Sequence, residues 1–171
     1  MDTSIQIGFK PTDNVIEKVD RQCNRFLKTN GFSDDDVQKQ INILNELVKN
    51  GMKYGNFVSP EDQITVLIHL DKTTVTLEVD NPVDDSSRNH LKDLDKTIQL
   101  IRGYQDTFEA YLLKLREACR CPGTKNNIGL GLVSIAFKEG AILDFFVTEE
   151  NILKVSAISR FKNGFNPRST T

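Results

Sequence analysis

The sequence predicts an α+β fold, a two-layer sandwich in which a mostly antiparallel sheet carries helices on one face. Helical segments bracket pairs of strand-like segments, without the regular strand–helix–strand alternation of a parallel sheet. No segment repeats within the chain, and 171 residues suffice for one hydrophobic core but not comfortably for two. We therefore expect a single domain over residues 1–162 and a flexible tail over 163–171.

The N-terminal segment predicts one strand and one helix. Residues 4–9 alternate between polar and apolar side chains and end before Pro11, a pattern typical of a strand. A helix is expected from a cap at Thr12 or Asp13 to about Asn30, where an asparagine–glycine pair provides the stop. The residues expected on its inner face are Val15, Val19, Cys23, Phe26 and Leu27.

The second helix carries a buried stripe and one residue that does not match it. Ser33, with Asp36 three residues later, forms a variant capping box at its start. The apolar residues at helical spacing are Val37, Ile41, Leu44, Val48 and Met52. Asn50 lies at the edge of this surface, where an unpaired amide would cost about 1–3 kcal/mol, so it needs a backbone, ligand or metal partner. Glu46, four residues earlier, shares its face.

The remainder of the chain predicts two hairpins with helices between them. The strands expected are residues 63–70, 73–79, 141–147 and 152–158. Residues 87–118 have helical spacing that is long for one helix, and Gly103 is the expected break. A polar loop over 124–127 leads through a glycine pair into a short helix that ends at Lys138.

Composition and charge exclude several classes of protein. The net charge is −2 and the charged residues are mixed along the chain, so no basic patch points to nucleic acid or to an anionic membrane. No apolar run approaches the roughly 20 residues that span a bilayer, and the first residues do not resemble a secretion signal, so we expect a cytoplasmic protein. Three cysteines suit a reducing compartment, and Cys119 and Cys121, spaced C-x-C, are better explained as ordinary thiols than as zinc ligands.

Three local features carry possible chemistry. The first is the face shared by Glu46 and Asn50. The second is Asp80-Asn81, a carboxylate and an amide at the end of a strand. The third is the glycine pair at 129 and 131, where a helix N-terminus offers free N–H groups to a phosphate. Each feature alone also has an ordinary explanation: a solvated glutamate, a capping amide, a turn, a common glycine spacing.

In this order and spacing the three features resemble a known family. Residues 46–55, ELVKNGMKYG, are similar to the asparagine box of the GHKL or Bergerat-fold ATPases, in particular the anti-sigma-factor serine/threonine kinases. Asp80 is similar to the aspartate of their first glycine box, and residues 127–132 resemble the second box, G-x-G-L-G-L. The resemblance covers about residues 35–158 and implies the histidine-kinase-like ATPase fold.

The resemblance implies ATP and Mg²⁺ as cofactors. Asn50 would be the metal ligand through its amide oxygen, and Glu46 the catalytic general base. Asp80, with Asn81 beside it, would accept a hydrogen bond from the adenine amino group.

The resemblance also implies a phosphate site. The backbone of Gly129, Leu130 and Gly131 would hold the phosphates. Lys53, one turn beyond the metal ligand, either reaches a phosphate or is a solvated surface lysine; the sequence leaves both open.

Two functions follow from the resemblance. The first is transfer of the ATP γ-phosphate to a serine or threonine of a STAS-domain anti-sigma-factor antagonist. The alternative is a catalytically inactive GHKL-like module that binds a protein partner in a bacterial signalling pathway. It is favoured by the missing glycines after Asp80 and by the long helical segment over 87–118, where the family has a glycine-rich lid. Both departures resemble the SiaB-type subgroup. A detached histidine-kinase domain is less consistent, since neither His69 nor His90 has the setting of a phosphoacceptor. A homodimer remains open.

Overall fold

The computed structural model describes residues 3–11, 15–120 and 129–161. The expected caps Thr12 and Asp13, the loop over 124–127 and the tail over 163–171 lie outside these ranges. Within them the chain forms five α-helices and five strands, which confirms the predicted α+β class. The elements are β1 (Thr3–Phe9), α1 (Val15–Thr29), α2 (Asp34–Tyr54), β2 (Ile64–Leu70), β3 (Thr74–Pro82), α3 (Arg88–Gly103), α4 (Thr107–Arg120), α5 (Leu130–Lys138), β4 (Ile142–Val147) and β5 (Ile152–Arg160).

The described strands form one antiparallel sheet in the order β1-β2-β3-β5-β4. Both predicted hairpins, β2–β3 and β4–β5, are confirmed. The pairing of β3 with β5 joins the two hairpins in the middle of the sheet, and its paired residues are far apart in the sequence. This pairing extends β3 to Pro82, opposite Ile152, so the strand ends three residues later than its local sequence predicts.

The two faces of the sheet differ because successive side chains in a strand point to opposite sides. We call the side that packs against the helices the covered face, and the other side the open face. On the central strands, the covered face carries the buried residues Ile64, Val66, Ile68, Leu70, Val75, Leu77, Val79, Asn81, Leu153, Val155, Ala157 and Ser159. The open face carries Thr65, Leu67, Thr76, Glu78, Asp80, Ile142, Asp144, Phe146, Lys154, Ser156 and Ile158.

Helix α2 is the element on which the covered face is built. Its predicted cap is confirmed: Ser33 Oγ accepts from the Asp36 backbone N–H at 3.1 Å and donates to the Asp36 carboxylate at 2.7 Å. At its other end Gly51 brings the helix close to β3. A Cβ at this position would lie 3.3 Å from Asn81 Oδ1 and 3.4 Å from a Val79 methyl, so the approach is near its steric limit.

The predicted break at Gly103 is confirmed. Helix α3 ends there, Tyr104 adopts an extended conformation, and α4 begins at Thr107. Helix α4 packs on α5 through an aromatic cluster in which the ring of Phe137 lies 5.0 Å from Phe108 and 5.4 Å from Tyr111. Every helix in the described ranges is too short or too polar to cross a bilayer.

Candidate functional site

Glu46 and Asn50 meet on one face of α2, as their spacing predicts. Both are half-buried, and Asn50 Nδ2 donates to Glu46 Oε1 at 3.4 Å. The first turn of α5 lies against the same carboxylate. A Cβ on Gly131 would overlap Glu46 Oε1, so only a glycine permits this approach without moving the carboxylate. The site therefore combines two sequence-distant segments, one from α2 and one from α5.

Gly129 is required at the start of α5 for two separate reasons. Its backbone has φ +87°, in the left-handed region that favours glycine. A Cβ there would also overlap the side chain of Thr97, which is buried on α3 and donates to the Asp93 carbonyl at 2.8 Å. Gly129 thus lets the N-terminus of α5, with its positive dipole end, point toward the α2 face that holds Glu46. Residues 127 and 128 of the glycine box lie outside the described ranges.

Asp80 is not brought to this site, which corrects the sequence interpretation. Its side chain lies on the open face, where it accepts a hydrogen bond from Lys154 beside Glu78. The prediction ended the strand at Val79 and treated Asp80 as the first residue of a loop. Because β3 continues to Pro82, the alternation of side chains also applies to Asp80 and turns it away from the helices.

The side chain of Asn81, rather than that of Asp80, points toward the helices. It is 1% exposed, lies beside Gly51 of α2, and donates from Nδ2 to the Pro82 carbonyl at 3.2 Å. The sequence contained a signal for this orientation, because Leu77, Val79 and Asn81 continue a single period-two pattern.

The space beside Asn50 is small. A cavity of about 10 Å³ lies among Asn50, Gly51, Asn81, His90, Leu94 and Leu132, enough for at most one water molecule. Tyr54 stacks on His90 with ring centroids 3.6 Å apart and planes 9° apart. Burial lowers the pKa of His90 to about 4, and its Nδ1 has no hydrogen-bond partner among the described residues. No local pattern predicts this stack, because its two members are 36 residues apart in the sequence.

Lys53 lies at the solvent edge of the same region. It is exposed, and its Nζ lies 4.9 Å from the centroid of the Tyr54 ring. The structure therefore brings Lys53 beside the Tyr54–His90 stack, and its ammonium opposes protonation of His90.

The metal and thiol chemistry of the described residues is limited. Within residues 3–11, 15–120 and 129–161, no group of three or more histidine, cysteine or acidic side chains is arranged to hold a metal ion. A magnesium ion bound with a nucleotide requires only one or two protein oxygens, and the Asn50 amide offers one. Cys23 is buried, its pKa is raised by burial to about 12, and Cys119 is exposed; Cys121 lies outside the described ranges.

Comparison with known proteins adds no family to this geometry: no protein-family model matches the chain, and no curated protein matches it in sequence.

Proposed function

We propose that the chain is an ATP-binding regulatory protein that transfers the γ-phosphate to a serine or threonine of a STAS-domain partner. One observation carries the proposal: Glu46 of α2, which accepts a hydrogen bond from Asn50, lies against the N-terminal turn of α5 at Gly131. The two segments are about 80 residues apart in sequence. A helix that served only packing would not require a carboxylate and an amide against a glycine-rich helix start.

Each group at this junction has a role in phosphoryl transfer, which depends mainly on positioning and on neutralising charge. The hydrogen bond between Asn50 and Glu46 uses the amide nitrogen and leaves the Asn50 oxygen for a hard cation. Bound Mg²⁺ supplies neutralisation of the phosphate charge. The N–H groups of Leu130 and Gly131 donate to phosphate oxygens at the positive end of α5, and Glu46 accepts the proton of the attacking hydroxyl.

In this proposal Asn81, rather than Asp80, recognises the adenine base. Asn81 faces the helices one strand position further along, next to Gly51. An amide can both donate and accept, so it selects adenine less strictly than a carboxylate does. Entry of the base requires the Tyr54–His90 stack to move, because the cavity beside Asn81 holds no more than one water molecule.

The same small cavity favours a second candidate function. An inactive GHKL-like module needs the fold and a partner surface but no open nucleotide pocket. Leu94 and His90 of α3 occupy the space beside Asn50 and Asn81 that a base would need. The two functions therefore differ in whether α3 can move away from Asn50 and Asn81 to admit a nucleotide.

Thermal shift with nucleotide separates the two candidates. We expect MgATP at about 1 mM to raise the melting temperature by a few degrees, since a ligand that binds only the folded state stabilises it. Asn50→Ala should abolish the shift. Asn42→Ala is the matched control on an exposed face of the same helix and should retain it. A chain whose melting temperature is unchanged by both ATP and ADP is the inactive binding module.

If nucleotide binds, Glu46 is tested by transfer to a purified STAS-domain protein with labelled ATP. Glu46→Gln keeps the size of the side chain but not its basicity, so we expect the thermal shift to persist while transfer falls about 10²-fold or more. Transfer at the wild-type rate in Glu46→Gln would remove Glu46 from the role of base.

A further inference from the structure

The open face of the sheet carries large apolar side chains that no described element covers. Ile142 is 66% exposed, Phe146 55% and Ile158 39%. They lie on neighbouring strands β4 and β5: Ile142 pairs opposite Ile158, and Phe146 lies four residues further along β4, beyond the Asp144–Ser156 pair. Apolar side chains gathered on one exposed surface are typical of an interaction site, whereas single ones are common on any protein.

An ionic cluster lies beside these apolar residues. Phe146 is opposite Lys154, whose ammonium contacts Glu78 at 3.0 Å and also binds Asp80. Burial raises the pKa of Asp80, and its Oδ1 atom is buried without a partner among the described residues. A buried acceptor left unpaired is unfavourable, so a further donor at this position would stabilise it.

The cluster forms one wall of a surface cavity of about 410 Å³ at the edge of the open face. The residues that line it include Thr65 and Asp80 of the sheet and the acidic residues Glu61, Asp62 and Glu150. Lys154 is the one cationic side chain among the described residues that line it. Four carboxylates against one ammonium give the cavity an acidic character, which attracts a cationic group.

We propose that the open face docks a partner protein that presents apolar side chains beside a lysine or arginine. The apolar side chains would pack on Ile142, Phe146 and Ile158, and the cation would enter the cavity and donate to Asp80. A second copy of the chain fits less well, because two open faces placed together would bring their surplus carboxylates into contact. The docking surface is on the opposite side of the sheet from Glu46 and does not depend on nucleotide binding.

The test uses the full chain and two labelled peptides followed by fluorescence anisotropy. One peptide alternates valine with arginine, and the other replaces each arginine with glutamate. We expect the basic peptide alone to bind, and both Phe146→Ser and Asp80→Asn to weaken its binding by about ten-fold. The matched controls are Phe108→Ser, an exposed phenylalanine of α4, and Glu109→Gln beside it, which should leave the affinity unchanged.

Three results would overturn the proposal. They are failure of the basic peptide to bind at about 1 mM, equal binding of the two peptides, and equal binding to open-face and control variants. Sedimentation velocity tests the second copy as occupant: a wild-type dimer that Phe146→Ser dissociates would also overturn it. Circular dichroism of all four variants should match the wild type at the assay temperature, so a loss of binding reports the surface; Phe108→Ser should melt somewhat lower, because it also loses its contact with Phe137.

Discussion

Asp80 and Asn81 are neighbours in strand β3, yet they lie in two very different environments. Asn81, on the covered face, is almost fully buried beside a cavity of about 10 Å³. Asp80, on the open face, binds Lys154 beside a cavity of about 410 Å³. A single step along the strand thus separates a closely packed, uncharged environment from an accessible, charged one. The covered face holds the proposed catalytic junction, and the open face holds the proposed docking surface.

The absence of charge around Asn81 is shared by every fully buried polar residue that the structure describes. Those residues are Gln40, Asn81, Ser87, Thr97 and Ser159, and all are uncharged. Ser159 donates to Gln40 at 3.0 Å across the interface between β5 and α2. The fully buried polar side chains are therefore all neutral, as expected from the cost of burying a charge. Not every one of their polar atoms is paired, since Gln40 Nε2 has no partner among the described residues. On the open face, charges pair with one another at the solvent boundary.

The largest expected effect comes from placing a charge at the covered position. Asn81→Asp keeps the size of the side chain but buries a carboxylate without a cationic partner among the described residues. We expect the free energy of unfolding at pH 7 to fall by about 3 kcal/mol. Burial would raise the pKa of the new carboxyl, so the loss should shrink as the pH falls toward 4.5 and the group is protonated. Urea denaturation of the variant and the wild type at pH 7 and pH 4.5 measures this difference in the free energy of unfolding.

The control for this change is Asp80→Asn on the open face, which should cost about 1 kcal/mol or less. Equal losses for the two substitutions would mean that the two faces do not differ in the way described.

A second, slightly smaller effect tests the packing at the start of α5. Gly129→Ala combines a left-handed backbone with overlap against buried Thr97, and we expect it to cost about 2–3 kcal/mol. Gly140→Ala is the matched control: its φ is +62°, but a Cβ there meets nothing within 4 Å, so it should cost only about 1 kcal/mol. Adding Thr97→Ala to Gly129→Ala should recover the steric part, a positive coupling that a double-mutant cycle measures.

The smallest effect concerns the pH dependence of His90. Its ordinary pKa of 6.5 is lowered by burial to about 4 in the folded chain, so the unfolded chain binds the proton more tightly. The stability contributed by the neutral ring is complete above pH 6.5 and is lost as the pH falls toward 4. We expect a loss of about 2 kcal/mol relative to His90→Phe, after discounting for partial exposure. Urea denaturation between pH 7 and pH 4 measures it, and a His90→Phe variant that loses stability as steeply as the wild type would contradict it.

Local signals in the sequence were sufficient for most of the fold. The cap at Ser33, the apolar stripe of α2 and the break at Gly103 depend on residues within one or two helical turns, and all three are confirmed. The two hairpins are also local, because their strands are joined by short turns. Recognising two hairpins with helices between them was therefore enough to predict the α+β class.

The details of the site depended on contacts that a local pattern does not contain. The end of β3 at Pro82 is fixed by pairing with Ile152, and this pairing decides which of Asp80 and Asn81 faces the helices. The stack of Tyr54 on His90 and the small cavity beside Asn50 depend on how α3 packs against α2. The meeting of Glu46 with Gly131 was expected from the family resemblance, whereas the overlap that a Cβ would cause there is visible only in the structure.

The Asp80–Asn81 step also bears on how the sheet assembles. If β3 paired with β2 or β5 one residue out of register, every side chain would change face. The carboxylate would then enter the core, and the buried Val79 and Leu77 would turn toward water. Misaligned pairings therefore carry a large energetic penalty once the helices pack on the sheet. In a sheet whose middle pairing must close a long loop, one charged residue next to one neutral amide helps to select a single alignment during folding.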